Sequence, residues 1–174
     1  MYVYAPTREG DIAREILKGF TGVLISDYYA AYDSIECVQQ KCLIHLMRNM
    51  NDDLLDNPFD EQYKIFVKDF SLLLKSIIDT IDRYGLKKYY LGKHKKDVSK
   101  FYDKYLSNKY ASAVLASYQR RLTDNQKKLF TFLDYDGVPW NNNNAEYAIK
   151  EFAIIDSSLM AATMKKVLKN ILPC

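Results

Sequence analysis

Apolar residues recur every three or four positions through the middle of the chain, and this spacing predicts long helices. Over residues 59–84 the spacing holds for about seven turns, so we expect one amphipathic helix that ends at Gly85. Residues 97–107 predict a second helix. Residues 110–134 predict a third helical region with a break at Thr123-Asp124, where a new helix could be capped. We interpret the aromatic and leucine stripe of these segments as packing core.

Two short apolar runs in the first third of the chain predict strands. Residues 22–26 form a continuous run of strand length, and Asp27 follows at its C-terminal tip. A further strand at about 38–44 passes into a helix near His45. Open α/β sheets place their chemistry at the carboxyl ends of strands, which makes Asp27 a candidate site residue. Taken alone, an Asp at this place is more often a turn or cap residue.

The remaining segments are shorter. Residues 2–4 predict the end of a strand, and Asp11 is a candidate cap for a helix over residues 12–19. Residues 136–139, Asp-Gly-Val-Pro, predict a loop, after which a helix carries Glu146. Together these elements predict an α/β fold that leans toward α-rich.

Composition limits the class of protein. Apolar residues make up 48% of the 174 residues, enough for a core, and the net charge of +3 excludes a polycation. The three cysteines, Cys37, Cys42 and Cys174, form no paired framework. With no signal peptide and no apolar run of membrane-spanning length, we expect a cytoplasmic protein without a membrane partner.

Basic residues are concentrated in residues 87–104, which hold seven lysines and one histidine against two aspartates. Aromatic residues interleave with them, a pattern that nucleic-acid-binding segments use. A solvated helix face in a lysine-rich protein is the alternative interpretation. The candidate DNA-contacting lysines are Lys93, Lys95, Lys96 and Lys100, and the interleaved aromatics are Tyr89, Tyr90, Phe101 and Tyr102.

Cys42 and His45 have the C-x-x-H spacing that can begin a zinc site. A structural zinc site needs four ligands, and the one other histidine is His94, so we expect no zinc. His45 either orients a carboxylate or phosphate, or is a hydrogen-bonded histidine beside a packed Cys42. Arg48, one turn later, is a candidate phosphate contact.

Three ordered motifs carry a family resemblance. They are G-V-L-x-S-D-x-Y-x-A-Y around Asp27, Q-x-C-x-x-H-x-x-R from Gln40 to Arg48, and P-W-x-N-N-x-A-E from Pro139 to Glu146. In this order they resemble the insertion sequence 66 type of bacterial DDE transposase, over about residues 1–155.

The resemblance implies a partial ribonuclease-H-like core of few strands with a large all-helical insertion. Residues 1–50 would be the partial core, 51–134 the insertion, and 135–174 a return to the core that ends in a divergent tail from residue 157. Asp27 would match the second acid of the family and Glu146 the third. The first acid has no counterpart in this chain.

The resemblance also implies a site. Asp27 and Glu146 would be catalytic residues and ligands of Mg²⁺, in a two-metal centre that is incomplete here. The supporting residues would be Cys42, His45, Arg48, Asn142 and Asn143.

The expected function follows from these implications. We expect a fragment or remnant of a DDE transposase, an enzyme that cuts and joins DNA ends, inactive by itself because one acid is missing. DNA and other transposase subunits are its expected partners. A non-catalytic regulator that derives from a transposase and binds DNA or protein is the alternative.

Overall fold

Helices outnumber strands in residues 10–147, the part of the chain that the computed structural model describes. This confirms the α-rich class. The chain divides into two compact units, one up to Asn141 and one from Asn142 onward. The strand predicted at residues 2–4 and the tail from residue 157 lie outside the described residues.

Six α-helices lie within residues 10–141, and short turns join the five from Leu43 onward. They are α1 (Gly10–Ile16), α2 (Leu43–Asp56), α3 (Glu61–Tyr84), α4 (Lys88–Leu91), α5 (Lys95–Leu106) and α6 (Ala113–Leu129). Single turns of 3-10 helix lie at Ala30–Ser34, Gly92–His94 and Thr131–Asp134.

Two strands, β1 (Val23–Ser26) and β2 (Val38–Lys41), pair in parallel, with Ser26 opposite Lys41. The first predicted strand is confirmed. The second is three residues shorter than predicted because Cys42 is already the N-cap residue of α2, which begins at Leu43. The carboxyl ends of both strands therefore meet at one edge, directly before Asp27 and α2.

The long helix α3 is confirmed, with a later start than predicted. The Asp60 carboxylate accepts a hydrogen bond from the Tyr63 N–H at 2.9 Å, which satisfies a free donor of the first turn and sets the start at Glu61. Phe59 precedes the helix and is 92% exposed, so its place in the apolar stripe was wrong. Gly85 ends the helix as predicted, with a φ of 71° that favours glycine.

Helix α6 runs without a break, so the predicted interruption at Thr123-Asp124 was wrong. The Thr123 hydroxyl donates to the Gln119 carbonyl at 2.8 Å, one turn back in the same helix, instead of capping a new one. Ser112 is the cap, because its hydroxyl accepts from the Leu115 N–H at 3.0 Å.

Two other helix starts were also misplaced. Helix α1 begins at Gly10, so Asp11 lies in its first turn and pairs with Arg14 at 2.7 Å instead of capping it. Helix α5 begins at Lys95 rather than residue 97, because α4 and a 3-10 turn lead directly into it.

The core lies between α3, α5 and α6 with the first half of α2 against it. The stripe of α3 supplies Phe66, Phe70 and Ile77, all with no exposed surface. The Phe66 ring lies 4.9 Å from that of Tyr105 in α5 and 5.9 Å from that of Tyr118 in α6, centroid to centroid. Apart from Phe59 and the 41% exposed Tyr84 at its two ends, the interpretation of the stripe as packing core is confirmed.

Gln40 connects the strand pair to this helical core. Its buried amide donates to the Leu129 carbonyl at 2.7 Å and accepts from the Phe132 N–H at 3.0 Å. The Thr131 hydroxyl donates to the Gln39 carbonyl at 2.7 Å beside it. The first residue of the second motif therefore fixes the end of α6 to β2.

Candidate functional site

Asp27 lies immediately after β1 and is half-buried. Its carboxylate accepts a hydrogen bond from the Tyr29 N–H at 3.0 Å, two residues on, as an Asp that opens a turn does. The buried Ser26 hydroxyl donates to the Asp27 carbonyl at 3.0 Å. The backbone on both sides of the candidate ligand is thus held by local hydrogen bonds.

A buried lysine lies beneath Asp27. The Lys41 side chain has no exposed surface, and its ammonium donates to the Asp27 carbonyl at 3.1 Å and pairs with the Asp33 carboxylate at 3.0 Å. A buried charge needs such partners, because taking an ammonium out of water is costly. Asp33 also accepts from Lys128 of α6 at 2.8 Å. The loop that follows Asp27 is therefore tied to both β2 and α6.

The Lys41 and Lys128 cations lower the pKa of the Asp33 carboxyl group. Burial by itself raises its pKa, but hydrogen bonds from Lys128 and Lys41 and their positive charges outweigh burial and hold the pKa below its usual value. Asp33 therefore stays ionised over the whole neutral and mildly acidic range.

Arg121, on α6, reaches the residue next to Asp27. Its guanidinium lies 4.0 Å from the centroid of the Tyr28 ring, close enough for a cation–π contact. The Asn49 side-chain amide, with its oxygen oriented toward Arg121, accepts a hydrogen bond from the guanidinium at 3.2 Å. Its nitrogen donates to the His45 carbonyl at 2.7 Å. Burial raises the pKa of Tyr28, and the Arg121 charge opposes this in part. A cation of the helical segment therefore lies near the Asp27 loop.

The second motif places Cys42 and His45 at the same edge of the strand pair. Cys42 is fully buried, and its N–H donates to the Ser26 carbonyl at 2.8 Å. His45 is half-buried in the first turn of α2, and Arg48 is exposed one turn later. The Leu43 N–H, at the start of the same helix, donates to the Trp140 carbonyl at 3.1 Å. Part of the third motif thus meets the second.

Glu146 belongs to the second compact unit. Residues 143–147 are helical there, and the Glu146 N–H donates to the Asn142 carbonyl at 3.0 Å. Asn142 directly precedes this helix, and Asn143 is its first residue. The predicted helix after the 136–139 loop is confirmed as far as residue 147.

The four candidate DNA-contacting lysines are all exposed. Lys95 pairs with Asp134, and Lys100 lies 3.7 Å from Asp97. The aromatics of the same stretch divide into two kinds. Phe101 and Tyr102 are in the core, so they pack there and are not interleaved contacts for a nucleic acid, whereas Tyr89 is 86% exposed.

His94, in the middle of the basic stretch, points inward. It is 3% exposed, and its Nε2 lies 2.8 Å from the Thr80 hydroxyl of α3. Burial lowers its pKa, the Lys93 charge adds to this effect, and Asp97 opposes it. His94 therefore anchors the 3-10 turn to α3 as a neutral side chain.

Carboxylate oxygens such as those of Asp27 and Glu146 are the donors that Mg²⁺ prefers. Within residues 10–147, however, no group of three or more His, Cys, Asp or Glu side chains lies close enough together to hold a metal ion. No helix of this part of the chain has the length and apolar character that crossing a membrane requires.

Sequence reasoning missed Lys41, Asp33 and Arg121. The position of Lys41 near Asp27 could have been predicted, because Lys41 ends a strand parallel to the one that precedes Asp27. The carboxyl ends of parallel strands lie at the same edge of a sheet. Arg121 has no local signal, because 94 positions separate it from Asp27 and only the packing of α6 brings it near the Asp27 loop.

Comparison with known proteins agrees with the three motifs. The family model described as Transposase IS66 family matches residues 1–167. No curated protein and no solved structure matches the chain. Because the family match covers far more than half of its length, the chain belongs to the IS66 transposase family.

Proposed function

We propose that the chain is part of the catalytic domain of a DDE transposase, with Asp27 and Glu146 as two of its acidic residues. The observation that carries this proposal is the position of Asp27. It follows a strand at the shared carboxyl edge of a parallel pair, and Lys41 and Cys42 contact the backbone on either side of the β1 end. Such an edge is where α/β sheets place their chemistry.

The proposal also assigns each of three segments of the chain to a part of the transposase fold. Residues 1–50 belong to a ribonuclease-H-like core, residues 51–134 to a helical insertion, and residues 135–174 to a return to the core. The connection between β2 and the end of α6 through Gln40 supports a helical segment that leaves the sheet and comes back to it.

The cofactor of the proposed site is Mg²⁺, and its ligands include the Asp27 and Glu146 carboxylates. Two-metal phosphoryl transfer needs several carboxylates to neutralise the paired cations. The 174 residues supply two of the three acids that the DDE resemblance implies. We therefore propose that this polypeptide alone does not cut DNA, and that DNA and other transposase subunits are its partners in the cytoplasm.

Metal binding tests this proposal directly. Mn²⁺ suits the same oxygen donors as Mg²⁺ and can be followed by its paramagnetism. We expect the full chain to bind Mn²⁺ weakly, and Asp27→Asn and Glu146→Gln each to weaken this binding. The control is Glu36→Gln, which removes an exposed carboxylate outside the proposed site. Equal Mn²⁺ binding by all four proteins contradicts the assignment of the two ligands.

A second candidate function is DNA binding without chemistry. The exposure of Lys93, Lys95, Lys96 and Lys100 favours it, because phosphate contacts need accessible cations. Mg²⁺-dependent nicking of plasmid DNA by the chain supports an enzyme and contradicts the proposed inactivity. Salt-sensitive DNA binding that survives Asp27→Ala and Glu146→Ala, without nicking, supports the binding function.

A further inference from the structure

Three tyrosines cluster at the C-terminal end of α3, and we call them the tyrosine cluster. Tyr90 stacks on Tyr84 with ring centroids 4.2 Å apart and an interplanar angle of 13°. Tyr89 meets Tyr90 edge-on at 5.1 Å and is 86% exposed. Folding leaves much of this aromatic surface in water, where it is available to a ligand.

The backbone under the cluster is fixed. The Lys88 N–H, in the first turn of α4, donates to the Asp136 carboxylate at 2.8 Å. The Gly137 N–H donates to the Leu86 carbonyl at 2.8 Å. The turn between α3 and α4 is therefore held by the loop that precedes the third motif, which fixes the backbone next to Tyr89 and Tyr90.

A basic groove adjoins the cluster. It has a volume of about 570 Å³, and its charged lining consists of three cations and one carboxylate, Lys75, Arg83, Lys93 and Asp79. Asp79 is paired with Lys75 at 3.2 Å, which leaves Arg83 and Lys93 as the excess positive charge. Tyr84 also lines the groove, and the Arg83 guanidinium lies 5.9 Å from the Tyr84 ring centroid. The groove and the cluster are therefore one continuous surface.

The opposite end of α3 provides a contrast. Phe59 is an equally exposed aromatic residue, at 92%. Its charged neighbours in sequence, Asp56, Asp60 and Glu61, are all acidic. These carboxylates repel an anionic ligand at Phe59. An exposed aromatic ring is combined with positive charge at the tyrosine cluster and not at Phe59.

We propose that the tyrosine cluster and the basic groove bind single-stranded DNA. Unpaired bases stack on Tyr89, and the phosphates follow the cations of the groove. A duplex offers its base faces to neighbouring pairs, so a free tyrosine face selects unpaired bases. This inference rests on the part of the proposed function that makes DNA a ligand, and it does not involve the metal site.

Fluorescence anisotropy with the full chain tests the inference. The probe is a labelled oligothymidylate of about 12 nucleotides, and a chelator removes divalent metals. We expect Tyr89→Ala to weaken binding about tenfold, since one stacked base is lost. Phe59→Ala, which removes an aromatic of similar exposure, is the matched control and should bind as the wild type does. Both side chains are exposed, so neither variant disturbs the core.

The salt dependence separates stacking from charge. Lys93→Gln should reduce the slope of log K against log salt by about 0.7, because one phosphate contact is lost. Tyr89→Ala should leave the slope unchanged. No loss with Tyr89→Ala, an equal loss with Phe59→Ala, or duplex binding as tight as single-strand binding overturns the inference. Because divalent metals are absent, each of these results leaves the Mn²⁺ test of Asp27 and Glu146 unaffected.

Discussion

The helical core and the strand pair are stabilised by different interactions. In the core, rings such as Phe66 and Phe70 are fully buried against other apolar groups. In β2, three consecutive polar residues, Gln39, Gln40 and Lys41, are buried, and the side chain of each has a hydrogen bond or ion pair with a group outside the strand. Close packing and the burial of apolar area stabilise the core, whereas hydrogen bonds and ion pairs between specific residues stabilise the strand pair.

This difference has a physical consequence for substitutions. Burial of apolar surface is non-directional, so the core should respond to lost volume and tolerate exchanges between apolar residues of similar volume. A buried amide or ammonium contributes modestly when it is paired, but its loss leaves other groups unpaired. The strand pair should therefore respond to lost polar atoms even when the volume is kept.

Phe66→Ala should have the largest effect. The ring has no exposed surface and contacts Tyr105 and Tyr118, so its removal leaves a cavity among three helices. We expect a loss of about 3–5 kcal/mol in the free energy of unfolding, measured by urea denaturation. Ile65→Ala is the control on the same helix, because Ile65 is 52% exposed. A loss of the same size in both variants would mean that burial in this core is not what stabilises it.

Gln40→Leu should come second and tests the strand pair. Leucine keeps most of the volume but removes the amide that bonds the Leu129 carbonyl and the Phe132 N–H. Since these buried groups lose their partner, we expect a loss of about 2–3 kcal/mol in the same urea experiment.

Gln126→Leu on α6 is the matched control for this change, because Gln126 is exposed. It should alter the free energy of unfolding by about 0.5 kcal/mol or less. If Gln40→Leu is as mild as Gln126→Leu, then apolar packing stabilises the strand pair as it does the core, and the contrast between the two regions fails.

The same contrast explains how much of the fold the sequence could predict. Helix α3 could be predicted because apolar residues at every third or fourth position indicate a helix with one buried face. Its start was misplaced because Phe59, although apolar, is exposed, and the deciding signal was the capping carboxylate of Asp60. The continuity of α6 through Thr123 was missed because a threonine hydroxyl can either cap a helix or bond back within it.

The candidate site was predictable only in part, for a related reason. Asp27 follows an apolar strand, a local pattern that the family motif reinforces. The groups that hold its loop, such as Lys41, Asp33 and Lys128, come from separate elements and are defined by partners rather than by spacing. Polar contacts between residues that are far apart in the sequence produce no periodic sequence pattern from which they could be predicted.

The smallest expected effect concerns pH and the contact between the strand pair and α6. The pKa of Asp33 is lower in the folded chain than its usual value of about 3.9, because Lys128 and Lys41 outweigh the effect of burial. A depressed carboxyl pKa stabilises the fold above the unfolded pKa, and this stabilisation is lost as the pH falls through the folded pKa. Asp33→Asn should therefore lower the free energy of unfolding at about pH 7, and the difference should shrink as the pH falls below the unfolded pKa and through the lower pKa of the folded chain.

The expected difference at neutral pH is about 0.5–1 kcal/mol, since Asp33 is 46% exposed and solvent screens its pairs. Urea denaturation of both proteins across this pH range measures it. Asp103→Asn is the control, because Asp103 is an exposed carboxylate on α5. A difference between wild type and Asp33→Asn that stays constant with pH would mean that the lost hydrogen bonds matter and the ionised carboxylate does not. The contact between the strand pair and α6 would then depend on the hydrogen bonds of residue 33 and not on its charge.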